Sequence, residues 1–129
     1  MSGEPLRYSP RVRELFAALP GGGALAPGEG VTVNGEAAAL ERGAWVRFEA
    51  RVSGGRLADC AFRAWGCPHT LAAAAWLAQA MRAAPVADLR PAEVRELAHE
   101  IEAPAAKLGR LLVVVDAQSA LLAAARAVQ

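Results

Sequence analysis

The feature that most restricts this chain is a pair of alternating segments joined by a glycine turn and running straight into Gly66-Cys67-Pro68. Val46, Phe48, Ala50 and Val52 alternate with Trp45, Arg47, Glu49 and Arg51, the period of two that marks a half-buried strand. Ser53-Gly54-Gly55 supplies the turn. The returning segment alternates Ala58, Cys60, Phe62 and Ala64 against Leu57, Asp59, Ala61, Arg63 and Trp65. One face is apolar and the other mostly charged, which predicts an antiparallel sheet covered on one side. At Gly66 the period changes, and Pro68 opens a helix through Leu71, Trp76, Leu77 and Met81 that ends before Pro85.

The flanking segments read more simply. Ser9 is placed to cap a first helix with Pro10 at its first position, and Val12, Leu15, Phe16 and Leu19 recur at helical spacing until Pro20 and Gly21-Gly22-Gly23 stop it. Val31-Thr32-Val33 predicts a short strand closed by a tight turn at Asn34-Gly35, and Ala37 to Leu40 fits more than one state. Pro91 is expected to open a helix carrying Val94, Leu97, Ala98 and Ile101 on one side. Pro104 begins the last segment. There Leu111 to Val115 reads locally as a buried strand and the Ala- and Leu-rich continuation as helix, a choice periodicity leaves open.

Composition narrows the class of protein. A length of 129 residues suits one domain, 1–129, and 54% hydrophobic residues suffice for a core. Fourteen Lys and Arg against 13 Asp and Glu, with no basic run, argue against a nucleic-acid partner. No signal-peptide order is visible in Met1 to Leu6. The apolar run near Leu71 to Ala78 is far short of the roughly 20 residues that span a bilayer, so the expectation is a cytoplasmic protein without a membrane partner. Two cysteines make no disulfide framework and are expected as thiols.

The chemistry centres on Cys67. Pro68 at the first helical position makes Cys67 the helix N-cap, where negative charge is favoured and thiolate gains over thiol. Two readings stand: a reactive or metal-binding sulfur, or a small residue filling a tight turn. His69 is either a ligand or base beside Cys67 or an exposed first-turn residue, and the more common outcome for such a histidine is exposure. Cys60 points into the core by its strand register, and His99 falls on a polar helix side. Trp45 and Trp65 share the charged face with Arg47, Arg51 and Arg63. They mark a partner-binding patch or lie covered by the Gly-rich loop or a terminal helix.

Three stretches in order resemble the U-type iron–sulfur cluster scaffold family, IscU and the NifU N-terminal domain. They are Tyr8-Ser9-Pro10-Arg11-Val12, then Ala61 through Cys67 leading into an Ala-rich helix, then Ala103-Pro104-Ala105-Ala106-Lys107. The last resembles the family's Leu-Pro-Pro-Val-Lys segment with Pro104 and Lys107 matching, the positions a chaperone would read. The likeness implies an α+β fold, a three-stranded antiparallel sheet packed against helices. It also implies that Leu111 to Val115 is helical.

The family's ligands are three cysteines, an aspartate near the first and a histidine before the third. Cys67 matches the middle cysteine. The other positions fall on Arg42 and Ala44, and on Gly109 and Arg110. A two-iron cluster generally takes four protein ligands. Cys67 and His69 offer two, unless a symmetric dimer pools both pairs. Guanidinium groups at the two lost positions repel bare iron, and the resemblance places them where they would stabilise a Cys67 thiolate or attract an anion.

Three functions follow, none of them an enzyme in the ordinary sense. The first is a scaffold-like role in cluster assembly, with an iron–sulfur cluster or iron as cargo and Cys67 as the retained ligand. The second is a pseudo-scaffold that binds a cysteine desulfurase or chaperone and holds no cluster. The third is a thiol carrier accepting persulfide on Cys67.

Overall fold

A computed structural model of the chain describes residues 8–18 and 22–128. Helix α1 spans Pro10–Ala18, strands β1, β2 and β3 span Val31–Ala39, Ala44–Ser53 and Arg56–Trp65, and helices α2, α3 and α4 span Pro68–Met81, Val94–Glu100 and Leu108–Ala127. The sheet is antiparallel in the order β1-β2-β3. Helix α2 packs on β3, α4 lies across β1 and β2, and α1 and α3 pack on α2 and α4. This is the expected α+β arrangement of one sheet with helices on its apolar face.

The hairpin follows its alternation closely. Ala44, Val46, Phe48 and Ala50 are fully buried and Val52 nearly so. Burying Phe48 alone is worth about 1.5–3 kcal/mol relative to exposure. The returning strand departs from a strict period of two at one point. The pairing shifts between Arg51 and Val52, so Arg51 faces Asp59 while Val52 faces Leu57 and Ala58 is the extra residue. This bulge turns Leu57 into the core and leaves Ala58 exposed, the reverse of the simple alternation. Beyond it Cys60 and Phe62 are buried as expected.

Two further expectations are corrected. Asn34-Gly35 is not a turn, because β1 runs through it for nine residues. Gly35 serves packing instead: a Cβ there would lie 2.1 Å from the backbone N of Leu121 and 2.6 Å from the carbonyl O of Ala117. The helix α4 therefore rests directly on the β1 backbone. Pro91 does not open α3 either, since the N–H of Ala92 donates to the buried Gln118 Oε1 at 2.7 Å. The helix starts three residues after Pro91, where the Glu93 carboxylate accepts from the N–H groups of Arg95 and Glu96.

The first helix behaves as read. Ser9 Oγ accepts from Val12 N at 3.1 Å and donates to Ile101 O at 3.0 Å, so one hydroxyl caps α1 and ties it to the end of α3. Leu19, the stop at Pro20-Gly21 and the Phe16 side chain lie outside the described residues. Leu111 to Val115 is helical, within α4. That helix is long and apolar enough to cross a membrane by composition, yet Leu111, Val114, Ala117, Leu121, Leu122 and Ala125 are fully buried in the core.

Two outcomes are expected. Gly35→Ala should destabilise the fold by about 3 kcal/mol or more, because the backbone of α4 must move, as denaturant unfolding would show. Cys60, whose thiol burial pushes up to about 12, should resist alkylation in the folded protein and label only on unfolding.

Candidate functional site

The sheet hands over to α2 within two residues. Gly66 has φ +148°, and a Cβ there would press at 3.1 Å on both Gly43 O and Thr70 Oγ1. A side chain would be strained in this conformation and crowded as well. Gly43 is itself left-handed and closes the short 3₁₀ turn Leu40–Arg42 through its N–H to Leu40 O. The β1–β2 connection and the β3–α2 connection thus meet backbone to backbone beside Cys67.

Cys67 is the N-cap of α2, with extended backbone angles and Pro68 following. It is half-buried, so its sulfur is neither sealed in nor fully exposed. Sγ lies 3.9 Å from His69 Nδ1 and 3.9 Å from Thr70 Oγ1. Burial is the largest single influence on this thiol and pushes it up. It is outweighed by the His69 ring, the backbone N–H groups of Thr70 and His69, and the Thr70 hydroxyl, which together bring the thiol down to about 6. The Thr70 N–H is also given to the Cys67 carbonyl at 2.9 Å, so it acts on the sulfur as part of the helix terminus rather than as a separate cap bond.

The structure corrects the histidine. His69 is 2% exposed, not a surface first-turn residue. Its ring packs against Tyr8, centroids 5.1 Å apart and tilted by 55°, and its Nε2 is buried without a hydrogen-bond partner among the described residues. The signal was present in the sequence: His69, Ala73 and Leu77 recur every four residues, and all three are buried. Thr70 and Tyr8 were not anticipated as site residues. Thr70 sits on the buried stripe Thr70, Ala74, Ala78, and Tyr8 arrives through the contact of α1 with α2.

The remaining positions gather at the same corner in part. A Cβ on Gly109 would lie 2.6 Å from Arg42 Nη1 and 2.9 Å from Cζ, so the Arg42 guanidinium closely approaches the start of α4. Ala44 is fully buried at the first residue of β2, and Arg110 is half-buried in the first turn of α4. The groups that lower the Cys67 thiol are His69 and Thr70, and neither guanidinium is among them. Stabilisation of the thiolate is therefore local to the helix terminus, a correction to the expectation that the arginines would supply it. Pro104 is exposed and Lys107 half-buried, in the 3₁₀ turn Ala105–Lys107 that leads into α4. His99 is exposed as expected and lines a groove of about 510 Å³ with Trp76, away from Cys67.

Three large apolar side chains on elements near this end of the sheet are exposed. Leu40 is 74% exposed, and Trp65 and Leu112 are each 48% exposed. Trp65 is thus about half exposed, while its cross-strand neighbour Trp45 is more buried and donates to Glu36 at 2.7 Å.

No group of three or more His, Cys, Asp or Glu residues among the described residues is arranged to hold a metal ion. Cys67 Sγ and His69 Nδ1 form a two-donor set at 3.9 Å. A tetrahedral ion with sulfur at about 2.3 Å and nitrogen at about 2.0 Å spans such donors at about 3.5 Å. A small approach would satisfy that bite, but half of a four-ligand set is missing from one chain.

An α+β sandwich of this order with a thiol at the sheet-to-helix junction defines the class of U-type scaffold folds. Residues 7–128 match the family model described as NifU-like N terminal domain, and the chain belongs to that family. Its fold is similar to that of a nitrogen-fixing NifU-like protein (N-terminal) from Brucella abortus, with TM-score 0.71 and 18% identity over 98% of this chain and 99% of that one. It is also similar to a putative iron–sulfur cluster assembly scaffold protein for the SUF system from Fervidobacterium islandicum AW-1. There the TM-score is 0.65 and the identity 12%, over 93% of this chain and 99% of that one. No curated protein matches the chain.

Thr70→Val and His69→Gln should each raise the Cys67 inflection from about 6 towards the free-cysteine value of about 8.5. Because the thiolate is the nucleophile, alkylation at neutral pH should slow in both variants, by about threefold to thirtyfold. Mass spectrometry of timed labelling would measure it.

Proposed function

We propose that this chain serves iron–sulfur cluster assembly as a scaffold-type protein whose working group is a single sulfur, Cys67. The observation that carries this reading is the half-buried thiol, lowered to about 6 and flanked by His69 and Thr70, in a chain of the NifU-like family. The Fervidobacterium neighbour, described as a putative cluster assembly scaffold, supports the process. The missing donors decide the emphasis. With Arg42, Ala44, Gly109 and Arg110 at the other family positions, one chain handles sulfur more readily than it holds a complete cluster.

The step that fits is acceptance of persulfide sulfur from a cysteine desulfurase. The Cys67 thiolate attacks the terminal sulfur of the donor's cysteine persulfide. A new S–S bond forms at Cys67 and the donor's S–S bond breaks. Its electron pair leaves on the donor cysteine as thiolate, so there is no net oxidation. A leaving and an attacking thiolate both gain from the N–H and hydroxyl groups at the α2 terminus. The chain acts as a carrier and not as an enzyme, in the cytoplasm, and exposed Trp65, two residues before Cys67, supplies apolar contact for the donor protein. Exposed Pro104 and the adjoining Lys107 are the remnant of a chaperone-binding segment.

A second reading is favoured by the bite of Cys67 Sγ and His69 Nδ1: iron, as cargo, held by these two donors. The two readings separate in one set of experiments. Incubation with a desulfurase and cysteine should add one sulfur to the Cys67 peptide, reversible by reductant and absent in Cys67→Ser. A lack of adduct on the wild-type chain would count against sulfur acceptance. Anaerobic reconstitution with iron and sulfide should give a chromophore dependent on Cys67 only if the cargo reading holds.

A further inference from the structure

The sheet has two edges, and they are treated differently. The outer edge of β3 is occupied at Leu57, Cys60 and Phe62. Leu57 exchanges hydrogen bonds with the loop, its N–H donating to Ala84 O at 2.9 Å and its carbonyl accepting from Ala83 N at 2.6 Å. The carbonyl of Cys60 accepts from Arg82 at 3.3 Å, and that of Phe62 accepts from Gly23 N at 3.0 Å. The other edge is β1, nine residues from Val31 to Ala39. Among the described residues, no hydrogen bond reaches its outward backbone groups from beyond the sheet.

Open edges of this length are usually blunted by lysine, proline, a bulge or an inward-pointing charge. β1 has none of these. Its one charge, Glu36, is turned to the outer face of the sheet, where Trp45 and Arg47 hold it at 2.7 and 3.2 Å. Register with β2 is unbroken from Val31 to Ala39. The two ends of this edge carry exposed apolar side chains, Val31 at 48% and Leu40 at 74%.

We propose that β1 is a self-association edge, on which a second copy of this chain adds its own β1 in antiparallel fashion to form a continuous six-stranded sheet. Antiparallel pairing of one strand with its own copy has two-fold symmetry by construction, so the contact closes at a dimer. A two-fold axis near Gly35 sets Val31 of one chain beside Ala39 and Leu40 of the other, and does so twice. Both exposed apolar ends are covered by one operation. The same register places Glu36 opposite Asn34, so the single charge of each strand meets an amide rather than its like. Parallel pairing would set Val31 against Val31 and Glu36 against Glu36, and loses both advantages.

Sedimentation equilibrium of the full chain and two variants tests this. The wild-type chain should associate to a dimer. Val31→Lys with Leu40→Lys places like charges together at both ends and should raise the dissociation constant by about a hundredfold or more. Val31→Lys with Leu40→Glu places opposite charges there and should return most of the loss. Both positions of substitution are exposed in the monomer, and circular dichroism should show the same fold throughout. A wild-type chain that stays monomeric overturns the proposal. So does association that the double lysine variant leaves unchanged, or that the lysine–glutamate variant does not restore; either would assign the dimer to another surface.

Discussion

The corner around Cys67 depends on a backbone crossing that only glycine allows. Gly66 passes close to the carbonyl of Gly43 and the side chain of Thr70, in a conformation that other residues rarely adopt. That passage lets β3 end and α2 begin without a loop between them. The first turn of α2 is consequently fixed to the sheet, and its N–H groups, its hydroxyl and its imidazole all lie close to one sulfur. A thiol at a loose terminus would have the helix dipole but not the neighbours.

The same economy appears at Gly35. There the missing side chain lets α4 lie on β1 itself, and this brings the start of α4 against Arg42 at the β1–β2 connection. Sheet, α2 and α4 therefore converge at one end of the molecule because two glycines permit close approach at two places. The site residues come from distant parts of the chain, but their placement follows from those two contacts. Where the family resemblance puts further ligands, this chain has guanidinium and small residues, and one of the guanidinium groups, that of Arg42, fills the space over Gly109.

Much of this was legible in the sequence. The alternation of Val46 through Val52 gave the strand and its buried face, and Pro68 after Cys67 gave the helix start and the cap. The errors have physical causes. The bulge that turns Leu57 inward is one extra residue, which a period-two count does not detect. Asn34-Gly35 carries the local signal of a turn, and only the packing of α4 shows that its glycine serves close approach instead. The burial of His69 was readable as a stripe with Ala73 and Leu77, but exposure is the commoner fate of a first-turn histidine. Its actual cover, Tyr8, comes from the segment leading into α1, about sixty residues earlier by sequence. The electrostatic role expected of Arg42 and Arg110 came from resemblance rather than geometry, and the side chains seen beside the sulfur are His69 and Thr70.

The most direct measurement is an ultraviolet titration of the thiolate in a Cys60→Ala variant of the folded chain, in which Cys67 is the sole sulfhydryl. The account requires absorbance to rise in a step centred near pH 6, with the thiolate predominant above it. A step centred near the free-cysteine value of about 8.5 would show that the α2 terminus does not hold this sulfur as described.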